Sequence, residues 1–148
     1  MQITEIWRYP VKTMAGEKLQ RARIGPLGIE GDRVVHVEDA RGRVITSRSH
    51  PRFLGHKGTL GLDGEPLVDR RPWDSPEVAV EVTDIARPGA KLVRYDGIER
   101  FDVLPLLVER VKPGQPGIRL RAGPRISRPL HGNSELCLRQ TSPSTGWD

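Results

Sequence analysis

Glycine and proline break this chain so often that no long helix fits between them. Sixteen glycines and thirteen prolines are scattered over 148 residues. Such punctuation ends regular elements after a few residues and favours short strands joined by turns. Residues 2–8 read as a first strand, mixed apolar and polar, that stops before Pro10. Residues 18–24 read as a second, closed by Gly25-Pro26. In the run 33–38, Val35 and Val37 share one face, and Val34, His36 and Glu38 share the other. Asp39-Ala40-Arg41-Gly42 then reads as a hairpin turn into a strand over 43–47. Further strands are expected over 52–62, interrupted by Gly55 and Gly58, and over 91–95. The cleanest alternation is 77–83, where Val78, Val80 and Val82 would face one way. Only 101–110 has modest helical character, and Pro105 sits inside it. The expected fold is mainly β, an antiparallel barrel or sandwich.

At this length the chain fits one domain with a core large enough to fold alone. No apolar run approaches the roughly 18 residues of a membrane span. The first residues carry Glu5 and Arg8 and lack the apolar core of a signal peptide. A cytoplasmic protein with no membrane partner is the resulting expectation. Cys137 is the one cysteine, which excludes an internal disulfide and a zinc site of several cysteines. The histidines (His36, His50, His56, His131) show no close metal-ligand spacing. His50 and His56, with Pro51 and Gly55 between them, read as solvated loop histidines.

Charge is uneven. Residues 1–108 carry a net of +1, whereas 109–148 carry +4 through seven basic and three acidic side chains. A basic tail can signal nucleic acid. Here Trp147 is its only aromatic, and no binding motif accompanies it, so RNA association is disfavoured.

Two short segments carry the chemistry. Tyr9-Pro10-Val11-Lys12-Thr13 places a lysine and a hydroxyl beside a proline-stiffened turn. Gly28-Ile29-Glu30-Gly31-Asp32-Arg33 places an arginine just past a glycine turn. Lysine supplies a mobile point charge and arginine a planar fork of donors, so together they suit a phosphate or pterin phosphate. Lys12 as a plain surface lysine, and Arg33 as a partner of Asp32 or Glu30, are the alternatives.

The order of these segments, followed by Gly42-Arg43-Val44-Ile45-Thr46 and Pro51-Arg52-Phe53, resembles the N-terminal β-barrel region of MOSC-domain proteins. Trp73-Asp74-Ser75-Pro76 and the run from Arg100 to Val108 resemble the start of the MOSC domain proper. The likeness covers about residues 3–108, and the MOSC-domain proteins it resembles are similar to the C-terminal domain of molybdenum cofactor sulfurases and to amidoxime-reducing components. It implies a MOSC-like antiparallel β-barrel and a molybdenum cofactor, molybdopterin, held through its phosphate. Lys12 and Thr13 would hold the phosphate and pterin side, and Arg33 would form a second clamp. Sulfur transfer or reduction of N-hydroxylated compounds would follow, with a redox or sulfur-donor protein as partner.

After Val108 the sequence departs from that pattern. Residues 109–148 read as an irregular, basic, Pro-, Arg- and Gly-rich segment, with no strand alternation from Val111 to Gly123. A frame change or an internal deletion would produce such a segment. Cys137, followed by Thr141 and Pro143, faintly resembles the family's metal-ligating cysteine. The competing expectation is a shortened, non-catalytic binding or interaction module without a working metal site.

Overall fold

The computed structural model of the chain describes residues 3–95 and 97, together with the strand segments 107–110, 118–121 and 136–139. In chain order the elements are β1 (Ile3–Arg8), β2 (Glu17–Leu19), β3 (Arg21–Gly25), β4 (Gly28–Ile29), β5 (Val35–Glu38) and β6 (Val44–Ile45). A 3-10 helix (Pro51–Gly55), β7 (Gly58–Leu60), β8 (Pro66–Val68), β9 (Arg71–Pro72) and α1 (Pro76–Ala86) follow. Then come β10 (Lys91–Arg94), β11 (Leu107–Arg110), β12 (Ile118–Arg121) and β13 (Leu136–Arg139). The fold is mainly β, built of small sheets, as the glycine and proline punctuation requires.

The chain divides into two compact units. The first gathers residues 1–7, 18–30 and 102–148. One of its sheets has the strand order β11-β12-β1-β2. β12 lies parallel to β1, with Ile6 opposite Leu120, and antiparallel to β11. The other has the order β13-β3-β4, with Leu138 opposite Ala22 and Ile24 opposite Ile29. Ile6, Ala22 and Ile29 form its buried centre, with Ile3, Leu19 and Ile24 packed against them. Two expectations are corrected here. Ile118–Arg121, within the stretch read as lacking strand alternation, is a strand, because β1 offers it an edge. Leu107–Arg110, read as the end of a helix, is a strand paired to β12. Residues 101–106, 111–117, 122–135 and 140–148 lie outside the described residues.

The second unit spans residues 8–17 and 31–101. It contains the sheets β10-β5-β6 and β7-β8-β9, together with α1. Val11, Val35, Val37, Phe53, Val68, Val78 and Val82 are among its buried core. The hairpin between β5 and β6 falls where the sequence places it. Asp39 Oδ1 accepts the N–H groups of Arg41 and Arg43, at 2.8 and 2.9 Å, and Gly42 takes a φ of 74°. Its strand is shorter than expected, Val44–Ile45 alone.

The run 77–83 is not a strand. Ser75 caps a helix by accepting the Val78 N–H at 3.4 Å, Pro76 occupies the first turn, and Glu77 adds negative charge there. Val78, Val82 and Ala86 are buried at a spacing of four, while Val80 is 69% exposed. Three valines at alternate positions mimic a strand, but only two of them lie on the helix's inner stripe. Residues 52–62 likewise divide. Pro51 opens the 3-10 helix that buries Phe53, and β7 begins only at Gly58.

Val82→Ala should therefore cost about 2 kcal/mol, whereas Val80→Ala should stay within about 0.5 kcal/mol of the parent. Urea denaturation of the two variants measures the difference, which a strand would erase. The hairpin makes a second prediction. The Arg43 N–H and guanidinium hold the Asp39 carboxyl down at about 2, from an ordinary 3.8. A depressed carboxylate stabilises the fold above its ordinary value and loses that effect as pH falls through the lowered one. Asp39→Asn should thus be less stable than the parent at pH 5 and converge with it near pH 2, as read by thermal melts across that range.

Candidate functional site

The two segments singled out in the sequence lie side by side in the second unit. Arg33 N–H donates to the Tyr9 carbonyl at 2.8 Å, Val35 N–H to Pro10 at 3.2 Å, and Lys12 N–H to Val35 at 2.8 Å. Val11 and Val35 form a parallel bridge, both fully buried. The backbone that carries Lys12 is thereby zipped to the backbone that carries Arg33.

Asp32 fastens this pairing. It has no exposed surface, and its Oδ1 accepts the Tyr9 N–H at 2.8 Å. Its Oδ2 lies 3.6 Å from Nε of Arg33, whose side chain is 15% exposed. The sequence raised Asp32 only as a neighbour for Arg33; the fold makes it the tie to Tyr9. Its place directly after Gly31, which takes a φ of 75°, was the available signal. Next to the segment, Gly16 packs so closely that a Cβ there would come within 2.8 Å of the Tyr9 ring. Glu17 accepts from Arg8 Nε at 2.9 Å and from the Leu60 N–H at 3.1 Å, holding the approach to the turn.

Thr13 has a φ of 87° and Arg33 one of 52°, in the left-handed region that side chains other than glycine rarely occupy. Such conformations persist where surroundings over-determine them. For Thr13 the surroundings are visible. Its hydroxyl donates to the Ile45 carbonyl at 3.1 Å and accepts the Ser47 N–H at 3.1 Å. That hydroxyl has one proton, and the loop uses it. Cys137 lies in β13 of the first unit, at the register position opposite Arg23. Lys12, Thr13 and Arg33 thus lie on backbone segments paired within the second unit, and Cys137 belongs to the other.

Asp32→Ala should destabilise the chain by about 3 kcal/mol, since it leaves the Tyr9 N–H without its acceptor and removes the carboxylate beside Arg33. Urea denaturation gives the loss, and hydrogen exchange at the Tyr9 amide should accelerate. Asp32→Asn, which keeps an acceptor, should cost less.

A search of curated proteins finds no match. The family model of the MOSC N-terminal beta barrel domain matches residues 1–98. Trp73-Asp74-Ser75-Pro76, expected to open the following domain, falls inside that match and serves as the start of α1. Lys12, Thr13 and Arg33 fall inside it as well, and Cys137 outside. With a β-rich fold and a match across most of its length, the chain belongs to the MOSC N-terminal β-barrel family.

Proposed function

We propose that the chain binds the phosphate of a molybdenum cofactor's pterin at the paired segments, with Lys12 and Arg33 supplying the positive charge. One observation carries this reading: the backbones bearing the two cations are hydrogen-bonded side by side, from Tyr9–Arg33 to Lys12–Val35. The donor set fits the group. An ammonium and a guanidinium form strong, charge-assisted bonds to phosphate oxygens. Thr13 acts as the residue that fixes the loop to β6 through Ile45 and Ser47, rather than as a donor to phosphate. When bound, the cofactor supplies the molybdenum chemistry of sulfur transfer or reduction of N-hydroxylated compounds, and the protein's part is to bind and orient it.

A second reading keeps the phosphate clamp without a working metal site. Its support is the family match, which is to the N-terminal barrel domain and covers the clamp residues. Pterin and molybdenum content of the purified protein distinguish the two. About one molybdenum per chain, lost on Cys137→Ala, supports the catalytic reading; pterin without molybdenum supports the module.

Lys12→Ala should weaken cofactor binding by about 1.5–3 kcal/mol, the usual worth of a hydrogen bond to a charged group. Titration of cofactor-free protein measures it, with Leu62→Ala, a fully exposed position, as the control. Equal affinities for Lys12→Ala and the parent would remove Lys12 from the site.

A further inference from the structure

His56, Asp69 and Glu81 reach one point from three places in the second unit. His56 follows the 3-10 helix, Asp69 opens the turn between β8 and β9, and Glu81 lies on α1. His56 Nδ1 is 2.8 Å from Asp69 Oδ2 and 3.7 Å from Glu81 Oε2. One ligand atom from each residue lies within 4.8 Å of the others. Ligands about 2.0–2.2 Å from a shared ion stand no more than about twice that apart, so the three already lie near one coordination sphere. We propose that His56, Asp69 and Glu81 form a binding site for a divalent transition-metal cation of the zinc class, separate from the pterin segments.

The surroundings have the character of a metal site. Asp69 Oδ1 accepts the Lys57 N–H at 2.8 Å, which fixes the carboxylate and turns Oδ2 toward His56. Ligating carboxylates are ordinarily held by such a second hydrogen bond. Met14, Val68, Val78, Val82 and Ile85 line the space beside His56 and Glu81, so the polar atoms rest on an apolar floor. An apolar shell lowers the local dielectric and strengthens the attraction to a cation. The three side chains are 23–36% exposed, open enough for an ion to enter. An imidazole nitrogen with two carboxylates is a zinc-type donor set, and it leaves a fourth position for water.

Charge points the same way. Arg71 donates to both oxygens of Glu81, at 2.8 and 2.7 Å, and lies 3.9 Å from Asp69. Asp69 and Glu81 thus share one guanidinium, and a bound cation would add to their compensation. Arg71 and the metal compete for Glu81, which gives the site a signature that adventitious surface binding lacks.

The test uses the full chain, stripped with a chelator. Zinc is followed by calorimetry, and cobalt(II) by its visible absorption. The expected result is one saturable ion per chain. His56→Ala and Glu81→Gln should each weaken binding about tenfold or more, and Arg71→Gln should tighten it. Circular dichroism checks the fold of each variant, and if His56→Ala fails to fold, Glu81→Gln and Arg71→Gln decide. No saturable binding, unchanged affinity in the ligand variants, or weaker binding by Arg71→Gln would each overturn the site.

Discussion

A carboxylate with no exposed surface, Asp32, accepts the Tyr9 N–H and lies beside the guanidinium of Arg33. Around that contact the second unit organises its two charge-bearing segments. Gly31 turns the chain into Asp32, Arg33 N–H closes on Tyr9, and Val11 then pairs with Val35 over the apolar centre. A carboxyl group buried this deeply needs hydrogen bonds or a nearby opposite charge to offset its lost hydration. The same bond that compensates Asp32 therefore also fixes where Lys12 and Arg33 emerge.

Strain is concentrated in the same region. Thr13 and Arg33 both hold left-handed backbones without being glycine, and Thr13 is β-branched as well. A further pair, Asp69 and Arg70, takes φ values of 49° and 69° in the two-residue turn between β8 and β9. Hairpin turns of this type favour asparagine or aspartate first and glycine second, so Asp69 suits its position and Arg70 sits against local preference. For two of these residues tertiary bonds hold the backbone: Thr13 through Ile45 and Ser47, Asp69 through Lys57 and His56.

Much of this was legible beforehand because it is local. The Asp39 turn announces itself through an Asx residue and a glycine at the required offsets, and the strands at 3–8 and 91–94 fall near their expected positions. The family likeness was legible from the Lys12 and Arg33 segments, and residues 1–98 carry it. The helix at 76–86 was not, because Val78, Val80 and Val82 alternate as a strand would; the Ser75-Pro76-Glu77 start was the signal that outweighed them. Residues 18–24 were read as one strand, whereas β2 ends at Leu19 and β3 begins at Arg21. Long-range facts left no local trace. Nothing near Ile118 tells that it will lie beside Ile3, and no spacing joins His56 to Asp69 and Glu81.

The parallel pairing of β1 with β12 has a consequence for the order of assembly. During synthesis, β1 leaves the ribosome more than a hundred residues before its neighbour at Ile118–Arg121. The second unit needs nothing beyond residue 101 for its own internal contacts, so it can close while β1 still lacks that partner. Loop-closure entropy rises only slowly with length, but a distant pairing must still wait for the chain to be made. Until then the edge of β1 meant for β12 is open to strands from other chains, and nascent copies on one messenger are its nearest competitors.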